Sequence, residues 1–130
     1  MIAATIMCDE SIVLKNLPYL QDITTMFELL GSMGAEILLD ENMDFTILSS
    51  NLVDTEARYE LVKTMRAGIL VLGPLLAKYG SAKVSLPGGC AIGIRPINFY
   101  LSILESMGTT LKLKDGYVLA SVKNQLKPIK

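Results

Sequence analysis

Histidine and tryptophan are absent from this chain of 130 residues, and cysteine occurs only twice. Without histidine the chain cannot form a Ser-His or Cys-His catalytic pair by itself, and it lacks the commonest protein ligand for metal ions. The two thiols, Cys8 and Cys90, lie far apart and form no Cys-x-x-Cys spacing. We therefore expect no zinc site and no metal or organic cofactor. Two free thiols suit a reducing cytosol, although a single disulfide is also compatible with the sequence.

Charge of one sign and long apolar runs are scarce as well. Lysine and arginine number 12 and the acidic residues 13, so the formal net charge is −1. This balance argues against a general nucleic-acid binder, which needs a basic patch, but allows a few local arginines to bind one anion. No apolar run reaches the roughly 18 residues of a membrane span, and the start MIAATIMCDE lacks the basic segment of a signal peptide. We interpret that start as the end of a helix that begins upstream, in a cytoplasmic protein without a membrane partner.

Hydrophobic residues make up 51% of the chain, enough for one globular domain with its own core. Apolar spacing predicts helices over residues 21–32, 56–72 and 96–106. β-Branched and alternating runs predict strands over residues 11–15, 36–40, 45–49, 82–85, 110–114 and 117–122. Asp22 or Thr24 is the expected N-cap of the first helix. Gly73-Pro74 is expected to kink or restart the second helix, and Asp115-Gly116 to form a type I′ hairpin turn.

One short motif occurs twice. Ser32-Met33-Gly34 returns 74 positions later as Ser106-Met107-Gly108, and the apolar residues that flank it agree in position. Each copy ends a predicted helix and precedes a predicted hairpin. We therefore expect a duplicated β-α-β-β unit, in segments of approximately 11–50 and 82–123, with apolar faces buried against each other. The predicted fold class is α/β, with α+β character.

The stretch SLPGGCAIGIRP, residues 85–96, places a thiol and an arginine among glycines and prolines. Glycines allow close approach to a ligand, and a nearby arginine favours the thiolate of Cys90, which could then act as nucleophile or general acid. Arg95 precedes Pro96, and proline suits the first position of a helix. Arg95 and the backbone N–H groups at the start of that helix could together bind a phosphate or carboxylate. The alternatives are a tight turn with an incidental thiol and a surface arginine. Arg66, beside an apolar helix face, is either a snorkelling surface residue or a buried anion clamp.

Residues 59–98 read YELVKTMRAGILVLGPLLAKYGSAKVSLPGGCAIGIRPIN and strongly resemble the UDP-N-acetylglucosamine enolpyruvyl transferase family. The likeness extends from ESIVLKNLPYLQDITTMFELLGSMGAEI to LKDGYVLASV, nearly the whole chain. The Pro-Gly-Gly-Cys loop is specific, because the related shikimate-phosphate enzymes lack it. The resemblance implies transfer of the enolpyruvyl group from phosphoenolpyruvate to the 3′-hydroxyl of UDP-N-acetylglucosamine, with release of phosphate, in bacterial peptidoglycan synthesis.

The resemblance also implies roles for individual residues. Cys90 would donate a proton to phosphoenolpyruvate and would be the residue that fosfomycin alkylates. Arg66 would contact substrate, and Arg95 would contact phosphate and the sugar nucleotide. The uridine pocket would be lined by Pro96, Ile97, Asn98 and Phe99. Asn98 stands where the family commonly has an acidic residue.

The enzymes of this family are much longer and have two domains, with substrates bound between them. A lysine that binds phosphoenolpyruvate and a second domain with a candidate base have no counterpart in this sequence. We therefore expect residues 1–130 to be a partial first domain, an inside-out α/β barrel of repeated units, that cannot turn over alone. Two other hypotheses are a stand-alone anion- or nucleotide-binding module with a reactive loop thiol, and a structural subunit that assembles with other pieces.

Overall fold

The computed structural model describes residues 1–86 and 97–129. Its α-helices are α1 (Gln21–Met33), α2 (Tyr59–Val62), α3 (Leu72–Tyr79) and α4 (Ile97–Ser106). Its strands are β1 (Ile12–Leu14), β2 (Glu36–Leu39), β3 (Phe45–Leu48), β4 (Glu56–Ala57), β5 (Ser81–Ser85), β6 (Thr109–Lys114) and β7 (Tyr117–Val122). Two 3-10 helices cover Ile2–Met7 and Arg66–Val71. No helix in the described part of the chain is both long enough and apolar enough to span a membrane.

The strands form two sheets with closely related connections. The first has the order β1-β3-β2, entirely antiparallel, and α1 lies between β1 and β2 in sequence. In the second, of order β4-β5-β7-β6, the strands β5-β7-β6 repeat that antiparallel order and α4 lies between β5 and β6 in sequence. The short strand β4 adds a parallel pair on the other edge of β5. The corresponding edge of β1 carries no strand within residues 1–86 and 97–129.

Local chemistry fixes the turns that the sequence predicts. Gly34 and Gly108 end α1 and α4 with φ angles of 111° and 97°, a left-handed conformation that glycine adopts at little cost. Asp115 and Gly116 have φ angles of 53° and 78°, as a type I′ turn requires at both central positions. The expected helix stops and the β6–β7 hairpin are therefore confirmed.

Two expectations about helices are wrong. Neither Asp22 nor Thr24 caps α1, because Leu20 is the N-cap residue, in extended conformation, and no side chain caps it. The helix predicted over residues 56–72 is instead divided into β4, α2 and a 3-10 helix. The apolar stripe that suggested it is still mostly buried, so short turns satisfy the same spacing as one long helix. Pairing of Glu56 and Ala57 with β5 is a long-range interaction that local spacing does not report.

The larger apolar core lies between the helices and the β4–β7 sheet. It includes buried side chains from the N-terminal 3-10 helix, α1, α3, β5 and β7. A smaller cluster under the first sheet consists of Leu14, Phe27 and Ile47. The ring of Phe27 stacks on that of Phe45, with centroids 4.5 Å apart. Because α1 supplies side chains to both clusters, it joins the two halves of the structure.

Lys78, near the end of α3, holds three segments together. Its Nζ donates to the backbone oxygens of Cys8 at 3.2 Å and Ser49 at 3.3 Å, and it pairs with Asp9 Oδ1 at 3.0 Å. Only 16% of the Lys78 side chain is exposed. Hydrogen bonds from a charged, largely buried donor contribute more than surface ion pairs.

Replacing Lys78 with methionine should lower the free energy of unfolding by about 1–3 kcal/mol, because two backbone oxygens lose a charged donor. Urea denaturation of the two proteins measures this. Lys15→Met is the matched control, since Lys15 pairs with Asp44 but its side chain is 69% exposed. It should cost at most about 1 kcal/mol. Equal losses in the two variants would contradict the role assigned to Lys78.

Candidate functional site

The residues predicted to act on substrate fall into two groups. Cys90, Arg95 and Pro96 lie outside the described residues. Arg66 is described, as is the first turn of α4, which contains the other three candidates, Ile97, Asn98 and Phe99. Within residues 1–86 and 97–129, no group of three or more Cys, Asp and Glu side chains could hold a metal ion.

Arg66 opens the 3-10 helix Arg66–Val71 and is exposed. The residue before it, Met65, is buried and has an extended backbone, so the chain anchors one side chain in the core and turns the next outward. No carboxylate among the described residues lies within 4.0 Å of the Arg66 guanidinium. The sequence allowed Arg66 to be either a surface residue or a buried anion clamp, and the structure places it at the surface. An exposed guanidinium without a carboxylate partner is suited to binding an anion.

The first turn of α4 has an inner and an outer side. Ile97 and Tyr100 are half-buried and pack against the larger core, whereas Asn98 and Phe99 are exposed, Phe99 to 71%. An amide and an aromatic ring therefore project from adjacent positions. Such a pair can hydrogen-bond the edge of a planar heterocycle and contact its face. No hydrogen bond or ion pair within the described part of the chain joins these two side chains to Arg66.

A contact between Tyr100 and Gly73 connects α4 to α3. The Gly73 N–H donates to the Tyr100 hydroxyl oxygen, with a nitrogen–oxygen distance of 2.9 Å, across 27 positions of sequence. Gly73 is the second residue of α3, where a backbone N–H has no partner within its own helix. A Cβ atom at Gly73 would lie only 2.8 Å from the hydroxyl oxygen, so a larger residue there would require the Tyr100 side chain to shift. Sequence reasoning noted Gly73 only for the Gly-Pro kink, and no local pattern indicates this contact.

Burial raises the pKa of the Tyr100 phenol above its ordinary value of 10.0, and the smaller effect of the Gly73 hydrogen bond opposes this rise.

The 3-10 helix that begins at Arg66 runs directly into α3. The Tyr100–Gly73 hydrogen bond thus ties the turn that carries Asn98 and Phe99 to the segment that carries Arg66.

A sizeable apolar cleft lies away from these residues. It has a volume of about 460 Å³ and opens between the start of α1 and the β2–β3 hairpin. Its lining is almost entirely apolar and includes Leu20, Ile23 and Met43. It contains none of the predicted site residues and only one acidic side chain, Glu28. Size alone therefore does not identify the functional site of this chain.

Comparison with known proteins gives consistent matches along the chain. The profile of the family described as EPSP synthase (3-phosphoshikimate 1-carboxyvinyltransferase) matches residues 1–130. The UDP-N-acetylglucosamine 1-carboxyvinyltransferase of Coxiella burnetii (strain RSA 493 / Nine Mile phase I) is 51% identical over 126 residues, which cover 97% of this chain and 29% of that protein. The protein of the same name from Hydrogenovibrio crunogenus is 50% identical over 116 residues, 89% of this chain and 28% of that protein. The chain thus spans less than a third of the length of these relatives.

Solved structures agree on the fold. The enolpyruvyl transferase NikO from Streptomyces tendae superposes with a TM-score of 0.81 at 22% identity, over 98% of this chain and 27% of that one. EPSP synthase from Acinetobacter baumannii gives a TM-score of 0.66 at 17% identity, over 98% and 31% of the two chains. At these identities the likeness concerns the fold, and it confirms the predicted α/β class.

The shifted Tyr100 pKa predicts a loss of stability at alkaline pH. The folded chain keeps the phenol proton to a higher pH than the unfolded chain, so the unfolded chain ionises first and stability falls as pH rises above about 10. Between about pH 9 and about pH 11, wild type should therefore lose more unfolding free energy than Tyr100→Phe. Urea denaturation at the two pH values measures this, with Tyr19→Phe, at an exposed site, as the control. Equal losses in wild type and Tyr100→Phe would refute the assignment.

Proposed function

The chain belongs to the EPSP synthase family of 1-carboxyvinyl transferases, and from this premise we propose that it is part of an enzyme that transfers the enolpyruvyl group of phosphoenolpyruvate to the 3′-hydroxyl of UDP-N-acetylglucosamine. The observation that carries this proposal is the 51% identity over 97% of the chain to a UDP-N-acetylglucosamine 1-carboxyvinyltransferase. Identity to the structurally similar NikO and EPSP synthase is only 22% and 17%. Sequence therefore favours the amino-sugar nucleotide as acceptor, and the product would serve peptidoglycan synthesis.

Within this reaction, Cys90 supplies a proton to the methylene carbon of phosphoenolpyruvate, and Arg95 holds the phosphate that leaves. A thiol suits this task because its ordinary pKa lies close enough to neutrality for proton transfer in either direction. Arginine binds phosphate with a planar, multiply donating group. These roles come from the Pro-Gly-Gly-Cys and Arg-Pro sequences, since both residues lie outside the described part of the chain.

The described residues contribute a surface for the sugar nucleotide. Exposed Arg66, which has no carboxylate partner among the described residues, neutralises part of the diphosphate charge. The outer side of α4 offers the amide of Asn98 and the ring of Phe99 to the uracil base. The resemblance adds Pro96 and Ile97 to this pocket, although Ile97 packs against the core and Pro96 lies outside the described residues. The contacts of Arg66, Asn98 and Phe99 use side chains whose exposure leaves them free to meet a ligand.

We further propose that residues 1–130 form part of the first domain, with repeat units of approximately 11–50 and 82–123. The shared strand order of β1-β3-β2 and β5-β7-β6 supports this, as do the left-handed glycines that end α1 and α4. Because the chain spans 29% of its relatives, the isolated polypeptide should bind the nucleotide without completing the reaction. The remainder of such an enzyme is then the partner that supplies the other groups.

Fosfomycin labelling tests the role of Cys90. Incubation of the chain with fosfomycin and UDP-N-acetylglucosamine should give one covalent adduct, located on Cys90 by peptide mass spectrometry, because that thiol serves the phosphoenolpyruvate site. No phosphate should be released when phosphoenolpyruvate replaces the drug. The adduct should persist in Cys8→Ser and vanish in Cys90→Ser. Labelling of Cys8 alone would reject the assignment.

Arg66→Ala should weaken binding of UDP-N-acetylglucosamine by about tenfold or more, because a charge-assisted contact to the diphosphate is lost. Isothermal titration calorimetry measures the dissociation constant. Arg58→Ala is the matched control, since Arg58 is also exposed but pairs with Asp54 at 3.6 Å. Shikimate 3-phosphate serves as the competing ligand. Tighter binding of that anion than of the sugar nucleotide would overturn the proposed acceptor.

A further inference from the structure

Helix α4 fully buries fewer side chains than its counterpart α1. Six side chains of α1 are buried, namely those of Thr25, Met26, Phe27, Leu29, Leu30 and Met33. In the described residues, α4 buries only Leu104, at 4% exposure. Ile97, Tyr100 and Leu101 are half-buried and pack against the larger core, so apolar packing sets the inner face of α4 and a polar contact can fix its direction.

The Tyr100 hydroxyl accepts a hydrogen bond from Gly73 of α3. Among residues 1–86 and 97–129, no other α4 side chain forms a hydrogen bond with a different helix or strand. The other two polar side chains of α4 that form hydrogen bonds, Ser102 and Ser106, bond to backbone oxygens of their own helix. On α3, the same bond gives an oxygen acceptor to the backbone N–H of the second residue of the helix. The bond is therefore specific in direction and fixes one helix against the end of the other.

The fit around this bond is close. The Gly73 nitrogen lies 2.9 Å from the hydroxyl oxygen, and a methyl group at Gly73 would approach that oxygen to 2.8 Å. A carbon–oxygen distance below about 3 Å requires one partner to move. Removing the oxygen, or adding the methyl group, would consequently shift the start of α4 relative to α3.

We propose that Tyr100 is a positioning residue for nucleotide binding: by accepting the Gly73 N–H it fixes the first turn of α4 and thereby the direction of Asn98 and Phe99. This inference depends on the proposed function, because it assumes that those two side chains meet the uridine. Tyr100 itself faces the core and acts through its neighbours. Neither Tyr100 nor Gly73 is among the residues that sequence reasoning assigned to the site.

Three variants test the geometry by calorimetric titration with UDP-N-acetylglucosamine and with uridine monophosphate. Tyr100→Phe should weaken both ligands by the same factor, about three- to tenfold, since one neutral hydrogen bond orients the shared uridine contact. Gly73→Ala should weaken them further. The double variant Gly73→Ala/Tyr100→Phe should bind more tightly than Gly73→Ala, because the phenyl ring lacks the atom that the new methyl group would strike. Tyr19→Phe should match wild type.

All titrations are made at a temperature at which circular dichroism shows that every variant is fully folded. If Tyr100 contributed only to stability, its replacement would lower the melting temperature and leave the dissociation constant unchanged. A second readout needs no ligand: ¹⁵N relaxation at Asn98 and Phe99 should show greater backbone motion in Tyr100→Phe. Unchanged affinity and unchanged relaxation in Tyr100→Phe would overturn the inference while leaving the proposed function intact. If wild type binds neither nucleotide, both the proposed nucleotide binding by this chain and the inference about Tyr100 are rejected.

Discussion

Helix α1 contributes buried side chains to both apolar clusters, and this shared burial holds the two sheets together. Leu29, Leu30 and Met33 enter the larger core, whereas Phe27 enters the smaller one and stacks on Phe45. A fully buried leucine or methionine contributes about 1.5–3 kcal/mol, so a helix with side chains in both clusters carries much of the stability. At its end, the Met33 backbone oxygen accepts the N–H groups of Val53 and Asp54 at 2.9 and 3.2 Å, which directs the chain from the first sheet toward β4.

The second half of the chain repeats this construction with less burial. Its strand order is that of the first half, and a left-handed glycine ends its helix in the same way. The difference lies in the helix, because α4 packs chiefly on β6 and leaves Phe99 and Ile103 exposed. A helix with an exposed outer side can present ligand-binding residues, while its half-buried inner residues pack on the core and a specific polar contact fixes its direction. The Tyr100–Gly73 hydrogen bond supplies such a contact.

How far the fold could be predicted depended on the range of the interactions involved. Gly34, Gly108 and the Asp115-Gly116 turn were predictable because positive φ angles are a local requirement that particular residues satisfy. Residues 56–72 were not, because strand β4 is defined by pairing with β5, and the intervening apolar spacing is the same for short turns as for one helix. The candidate site shows the same division. Motif and resemblance selected Arg66 and the first turn of α4, whereas the contact that orients that turn spans 27 positions and has no sequence signal.

Fold and specificity are also separable in this family. NikO shares the backbone arrangement with a TM-score of 0.81 at only 22% identity, so this arrangement tolerates wide changes of side chain, and a shared fold does not by itself fix a specificity. In the proposed function, selection comes from side chains that the fold places at the ligand, and Asn98 is the informative one, because the resemblance implies an acidic residue at this position. A carboxylate only accepts hydrogen bonds, whereas an amide both accepts and donates, and it carries no charge. A uracil edge presents a donor beside an acceptor, so an amide can satisfy both. An amide also lacks the negative charge with which a carboxylate would repel a bound anionic nucleotide. In the proposed function, the departure from the family pattern thus keeps base recognition and reduces repulsion of the diphosphate.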